Sequence, residues 1–286
     1  MEKDLGNKAP VNKIIPFSSV DGPGNRTSVF LQGCNFNCRY CHNPETRALC
    51  TDCGECVKTC PSGALTLREG KVLFDYKKCT GCDTCIRSCR FNASPRIRWM
   101  PAAEVYAEVR KQVPYIRGIT VSGGECTLYP EFLTELADAA GKDGLTTLLD
   151  SNGTLDFRSY PELLTRIQGV MLDIKAWNPA EHRKTTDMDN AAVLQNMRYL
   201  AGCGKLTEVR TVVVPGLFNA EETVRETARF LKPYLKESGI RYKLIKYRPM
   251  GVRAVYRETL AVPADAEMRR LQNIAEAEGM KDIVII

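Results

Sequence analysis

Gly33-Cys34-Asn35-Phe36-Asn37-Cys38-Arg39-Tyr40-Cys41-His42-Asn43 places three cysteines at C-x3-C-x2-C spacing on a short loop. Just before it, Val29-Phe30-Leu31-Gln32 is a brief apolar run bounded by turn residues, the pattern of a buried strand. Three thiols therefore leave the end of one strand together and can converge on one small object. Thiolates select zinc or iron–sulfur clusters over hard cations. A closed cluster site carries four cysteine ligands. Three leave one metal position open, as a catalytic metal site does. The plain alternatives are a structural zinc knot, for which His42 is the only close fourth ligand, or reduced core cysteines.

The chain has 286 residues, room for one barrel-sized domain or a domain with a small insert. An apolar fraction of 44% suits a globular protein with a sizeable core. The net charge of +6 is too small to argue for nucleic acid. No apolar run approaches the roughly 20 residues that span a membrane. Met1-Glu2-Lys3-Asp4-Leu5 carries charges with no apolar core behind them, which reads as no signal peptide and a cytoplasmic protein. Of thirteen cysteines, eleven lie between Cys34 and Cys89. In that compartment such a density indicates metal binding rather than disulfides. Exposed clusters oxidise readily, so an anaerobic setting is expected.

Residues 49–91 differ in character from the rest. Cys50-x2-Cys53-x2-Cys56-x3-Cys60-Pro61 is followed by Cys79-x2-Cys82-x2-Cys85-x3-Cys89, an internal repeat. The first copy matches the two-cluster ferredoxin run, proline included; the second has Arg90 in its place. In such repeats the fourth cysteine of each copy ligates the other cluster. That predicts Cys50, Cys53, Cys56 and Cys89 on one cluster, and Cys79, Cys82, Cys85 and Cys60 on the other. A hairpin, Ala64–Leu67 and Lys71–Phe74, is expected between the copies. So small a segment buries little apolar surface, and its clusters should hold it together.

Residues 92–286 alternate strand and helix. Gly118–Val121, Thr146–Leu149, Gly169–Leu172, Leu206–Val214 and Tyr242–Tyr247 read as strands. Pro101 and Pro130 suit first helical turns, Asn178-Pro179 and Asn219 suit caps, and Gly141 is expected to stop the helix begun at Pro130. With the first strand this makes about six β/α units, short of the eight of a closed barrel. The expected fold is α/β: an open, partial (β/α)6 TIM-like barrel formed by residues 1–48 and 92–286, with a small two-cluster ferredoxin-like insert at 49–91. A flat doubly wound sheet is the second choice.

In such folds the carboxyl ends of strands carry the site. Ser122-Gly123-Gly124-Glu125, Asp150-Ser151-Asn152-Gly153, Asp173-Ile174-Lys175, Arg210 and Arg248-Pro249-Met250-Gly251 all sit at or near predicted strand ends. Each alone is an ordinary turn or ion pair. Together with the cysteine loop they describe a site for a zwitterion, with cations for a carboxylate, Glu125 for an ammonium group, and an open iron. Before the first strand, Asp21-Gly22-Pro23-Gly24 is a turn by its chemistry, with Asp21 and Arg26 close to the cysteine loop in sequence.

In this order, Asp21-Gly22-Pro23-Gly24-Asn25-Arg26, Gln32-Gly33-Cys34, Tyr40-Cys41-His42-Asn43-Pro44, Ser122-Gly123-Gly124-Glu125, Asp150-Ser151-Asn152-Gly153, Leu172-Asp173-Ile174-Lys175 and Val214-Pro215-Gly216 resemble the radical S-adenosylmethionine (radical SAM) activases of glycyl radical enzymes, relatives of pyruvate formate-lyase activating enzyme. The repeat resembles that of the YjjW-type subgroup. The resemblance runs from about Lys13 onward. It implies an oxidoreductase that reductively cleaves SAM to a 5′-deoxyadenosyl radical and takes a hydrogen from a glycine of a partner enzyme. It implies a [4Fe-4S] cluster on Cys34, Cys38 and Cys41, and two further clusters fed by a flavodoxin- or ferredoxin-like donor. The implied SAM contacts come from Tyr40, Cys41, His42, Gly123, Gly124, Glu125, Asp150, Ser151, Asp173, Ile174, Lys175 and Arg248. Asp21, His42 and Arg210 would lie near the incoming glycine loop. Two positions depart from the pattern: Cys126 follows Gly-Gly-Glu where Pro or Ala is usual, and Arg248 stands where a SAM-contacting His is usual. Cys126 and Cys203 lack cluster spacing and read as bystander thiols. Two other readings stand beside the activase: a radical SAM enzyme acting on a small molecule or peptide, and a non-enzymatic electron carrier.

Overall fold

Strand β1 (Lys8–Ser18) runs antiparallel to β2 (Arg26–Leu31), with Ile14 opposite Val29. This computed structural model describes residues 7–235 and 239–286. The charged N-terminal run Met1–Leu5 lies outside the described residues. The chain divides into two compact units, Met1–Asn35 with Asn43–Thr146, and Phe36–His42 with Thr147–Ile286.

In the first unit, β2 leads toward the cysteine loop and is nearly all buried. After it come the short helix α1 (Glu55–Thr59), the hairpin β3 (Leu65–Arg68) and β4 (Lys71–Phe74), and the short helix α2 (Thr84–Arg87). Leu65 faces Phe74 across the hairpin expected between the copies. The apolar core here is small: Cys56, Leu65 and Cys85, with Val57, Val72, Phe74 and Ile86 packed around them. Gln32, fully buried, ties the ends of this segment together. Its amide Nε2 donates to the carbonyls of Glu45 (2.9 Å), Ala48 (2.7 Å) and Ser94 (3.2 Å), and its Oε1 accepts from Asn12 (2.7 Å). The chain then forms β5 (Arg98–Pro101), antiparallel to β1, helix α3 (Ala102–Arg110), β6 (Gly118–Gly123), parallel to β2, and helix α4 (Pro130–Lys142). Pro101 ends a strand and caps α3 rather than starting its first turn, while Pro130 does occupy the first turn of α4. Phe132, Leu133, Leu136, Ala137 and Ala140 form the buried stripe of α4. The helix runs through Gly141. It stops at Gly144, whose φ of +74° suits glycine, and Leu145 N–H reaches back to the Ala140 carbonyl (3.0 Å).

The second unit takes up the β/α alternation: β7 (Thr146–Ser151), α5 (Pro161–Arg166), β8 (Gly169–Asp173), α6 (Pro179–Thr186), α7 (Ala191–Gly202), β9 (Leu206–Val213), α8 (Ala220–Leu231), β10 (Arg241–Lys246), α9 (Ala254–Arg257), α10 (Asp265–Ala277) and β11 (Ile283–Ile285). Its strands are ordered β7-β8-β9-β10-β11, and each paired neighbour is parallel. Parallel strands covered on both faces explain the near-continuous apolar runs. The Asn178 side chain accepts from the Ala180 and Glu181 amides to cap α6, and Asn219 accepts from the Glu222 amide to cap α8. Among the described residues no helix is long and apolar enough to cross a membrane.

Candidate functional site

The loop Phe36–His42 is pinned by backbone and ring contacts within the second unit. Asn37 N–H donates to the Thr186 carbonyl (2.8 Å) and Arg39 N–H to the Thr185 carbonyl (3.0 Å), both at the end of α6. The Phe36 ring stands edge-on to His182, centroids 5.4 Å apart. Arg253 Nη2 donates to the carbonyls of Cys38 (3.0 Å) and Asn37 (3.3 Å), and its guanidinium lies 4.7 Å over the Tyr256 ring. Arg253 was invisible to sequence reasoning, because one arginine in a polar loop carries no spacing signal. His42 Nε2 lies 2.9 Å from the Arg248 carbonyl, so that nitrogen carries the proton, and the ring stacks on Tyr247. Burial lowers the His42 pKa. At Gly251, with φ of +82°, a Cβ would stand 2.2 Å from the His42 carbonyl oxygen, so only glycine lets this turn close against the loop. Arg248 thus serves His42 through its backbone, and the residue itself is exposed.

Tyr40 and Cys38 face a charged pair. Lys175 Nζ sits 2.6 Å from Asp173 Oδ2 and 5.7 Å from the centroid of the Tyr40 ring. Burial works against the Lys175 ammonium, but Asp173, Tyr40 and Cys38 outweigh it and hold the group well above the ordinary lysine value. Burial pushes the Cys38 thiol up to about 12, against the pull of Lys175. The Tyr40 hydroxyl is buried without a hydrogen-bond partner. Ile174 is buried, and its N–H donates to the Arg210 carbonyl (2.8 Å).

Arg210 anchors a second charged group across four strands. Nη1 is 2.8 Å from Asp150 Oδ2 on β7, Nε is 2.5 Å from Glu208 Oε1 on β9, and Nη2 is 2.9 Å from Met171 Sδ on β8. Lys243 on β10 reaches the same Glu208 oxygen at 3.1 Å. The charges balance, two cations against two carboxylates. Burial alone would lower the Arg210 pKa, but Asp150 and Glu208 raise it. Glu208 and Lys243 are members that the sequence did not flag; their alternation with Arg210 along β9 and across to β10 is the signal that could have found them. Ser151 Oγ accepts from the Gly153 amide (3.0 Å), closing the turn after β7.

In the first unit, Asp21 Oδ2 accepts from Ser18 and Ser28 hydroxyls, each at 2.6 Å. Arg26 is 1% exposed and spends its donors on Thr120 Oγ1 and on the carbonyls of Ile119 and Thr146. Burial lowers its pKa to about 10. Gly123 and Gly124 have a packing reason: a Cβ on Gly123 would lie 2.1 Å from the Leu31 carbonyl oxygen, and one on Gly124 2.2 Å from that of Gly33. Glu125 is buried, and its Oε1 accepts from both the amide and the hydroxyl of Thr127. Cys34 N–H donates to the Arg47 carbonyl (2.9 Å). Cys126 is fully buried and Cys203 exposed.

The two cysteine repeats match in backbone as well as spacing. Left-handed residues flank the second cysteine of each copy, Asp52 and Gly54 in one, Gly81 and Asp83 in the other. A third follows the fourth cysteine, Gly63 and Asn92. Asp52 N–H points to Cys50 Sγ and Gly81 N–H to Cys79 Sγ, both at 3.4 Å. In each copy the second cysteine is exposed, the third buried, and the first and fourth half-buried. Cys60 lines one cavity with Cys79, Cys82 and Cys85, together with Leu65, Phe74 and Arg96. Cys50 lies within electrostatic reach of Cys53 and Cys89.

Among the described residues no group of three or more His, Cys, Asp or Glu side chains is arranged to hold a single metal ion. Cluster thiolates bind different irons, so they stand farther apart than the ligands of one zinc. The donors fit a cluster: sulfur only, partly buried, with backbone amides turned to sulfur in both repeats. The partnerless Tyr40 hydroxyl and the Lys175–Asp173 pair fit a charged ligand beside Cys38 and Cys41.

Residues 28–231 match the family described as the radical SAM superfamily. A Haemophilus influenzae protein named as a glycyl-radical enzyme activating enzyme is 30% identical over 97% of this chain and 96% of its own length. The pyruvate formate-lyase-activating enzyme of Streptococcus mutans is 32% identical over 84% of this chain and 78% of its own. In fold, the chain is similar to SuiB of Streptococcus suis bound to its precursor peptide SuiA, with a TM-score of 0.57 and 14% identity over 88% of this chain and 46% of that one. The chain belongs to the radical SAM superfamily and, within it, to the glycyl-radical-enzyme activating enzymes.

Proposed function

We propose that this enzyme installs a glycyl radical on a partner protein by reductive cleavage of SAM. The Lys175–Asp173 pair beside Tyr40 and Cys38 carries the reading, because it supplies fixed opposite charges next to a loop thiol. When bound, the loop cluster and SAM together supply a 5′-deoxyadenosyl radical able to remove a glycine Cα hydrogen. Cys34, Cys38 and Cys41 hold the cluster. Lys175 offers its ammonium to an anionic group of SAM, and Asp173 holds it in place. Asp150 is oriented by Arg210, and its carboxylate can accept from hydroxyl or ammonium donors of the ligand. Family resemblance assigns Gly123, Gly124, Glu125, Ser151 and Ile174 to SAM contact, and Asp21, His42 and Arg210 to the glycine loop. Glycine suits this chemistry because, with no Cβ, its chain can thread a narrow mouth.

Residues 49–91 form a two-cluster ferredoxin-like insert that relays electrons from a flavodoxin- or ferredoxin-like donor. The shared cavity of Cys60 with Cys79, Cys82 and Cys85 supports the crossed ligation. Anaerobic reconstitution with reductant, SAM and candidate glycyl radical proteins, followed by electron paramagnetic resonance, tests the whole reading. The expected signal is a glycine-centred doublet that Cys34→Ala, Cys38→Ala and Cys41→Ala each abolish. Deoxyadenosine formed with no protein radical would mean a different substrate class. Lys175→Met is expected to weaken SAM binding at least tenfold while leaving iron content intact; unchanged affinity would remove Lys175 from the site.

A further inference from the structure

Beside each cysteine repeat lies one short ion pair of 2.6 Å, and the two point opposite ways; a longer pair, Lys78–Asp75 at 3.8 Å, is exposed on both sides. Beside Cys50, Asp52 is the sheltered partner and Lys71 the exposed one, with side-chain exposures of 21% and 51%. The Asp52 carboxylate is held by Lys71 Nζ (2.6 Å) and the Val72 amide (3.0 Å). Beside Cys79 the order reverses: Arg96 is sheltered at 23% and Asp83 exposed at 54%, the pair 2.6 Å apart. Arg96 lines the cavity of Cys60, Cys79, Cys82 and Cys85. The repeats are alike in backbone, in exposure and in the amide that meets each first cysteine; beyond these charges they differ in the Ala93 amide on Cys89 (3.4 Å) and in the hydroxyls of Ser62 beside Cys60 and Thr84 beside Cys82.

Building on the two-cluster reading, we propose that Arg96 and Asp52 set a potential step between the insert clusters. The cluster held by Cys60, Cys79, Cys82 and Cys85 is the easier to reduce. Reduction adds one negative charge to an already anionic cluster. A sheltered guanidinium lining the cavity of the ligand sulfurs stabilises that charge, whereas a sheltered carboxylate opposes it. The exposed partners, Lys71 and Asp83, act through water and are more strongly screened. Arg96 is therefore a tuning residue that acts on the cluster without ligating it. An electron arriving at the insert comes to rest on the Arg96 side.

The test is an anaerobic redox titration, read by electron paramagnetic resonance, of the full chain. Cys34→Ser, Cys38→Ser and Cys41→Ser together silence the loop cluster. This background should bind about eight iron atoms per chain, two clusters of four. Two one-electron waves are expected. Arg96→Gln should lower the upper wave alone, by a tenfold change in the reduction equilibrium or about 59 mV. Arg96→Lys should restore most of it, and Asp52→Asn should raise the lower wave alone. If Arg96→Gln moves the lower wave, both waves or neither at full iron content, the tuning role is overturned. If the silenced background binds no iron, the two-cluster reading itself falls.

Discussion

At the scale of single residues, burial decides which groups keep their charge. His182 is fully buried, its Nδ1 2.9 Å from the Met188 carbonyl and its Nε2 without a partner. Burial lowers its pKa, so the folded chain resists a proton that the unfolded chain accepts. His182 therefore contributes stability that is complete above the ordinary histidine range and is lost as pH falls through it. Denaturant unfolding of the metal-free protein should show that loss, and His182→Gln should flatten it; an unchanged pH slope would contradict the assignment. Acid sensitivity should also reach the cysteine loop, because the Phe36 ring rests against His182. The Lys175–Asp173 pair was legible in the sequence, because period two puts both residues on one face. Gln32, Arg253, Glu208 and Lys243 were not, because a lone polar residue reveals its partner only after folding.

At the scale of elements, local chemistry was readable and remote pairing was not. The caps Asn178 and Asn219 act within three residues of themselves, so sequence sufficed. The stop of α4 was misplaced at Gly141, because the decisive feature is the left-handed backbone at Gly144. Strands β1 and β5 escaped notice, since their antiparallel pairing breaks the β/α rhythm and both contain proline. Gln32 illustrates an element tied by one side chain. Gln32→Leu would leave the carbonyls of Glu45, Ala48 and Ser94 without its donors, at a net cost of about 1–3 kcal/mol. Hydrogen exchange across residues 45–48 and 92–96 should accelerate, while β8 and β9 keep their protection. Uniform acceleration through the chain would mean that Gln32 supports the global core instead.

At the scale of the whole molecule, stability is expected to be uneven. The second unit buries long apolar strands, while residues 49–91 rest on the small cluster of Cys56, Leu65 and Cys85 with their neighbours. Removing iron with a chelator should therefore expose residues 49–91 to protease and leave β7 to β10 protected. Equal resistance with and without iron would show that the small core suffices. Family and α/β class could be read from the ordered motifs alone, since several short patterns in one sequence constrain far more than any single one. The inward or outward sense of the two ion pairs could not be read, because it depends on which partner the fold shelters.

The matched left-handed corners at Asp52, Gly54 and Gly63, and at Gly81, Asp83 and Asn92, send both repeats along one backbone course. That course is strained for most side chains and most of all for β-branched ones. A valine or isoleucine at any of these six corners should therefore bend its copy away from the twin, and lower the iron retained per chain.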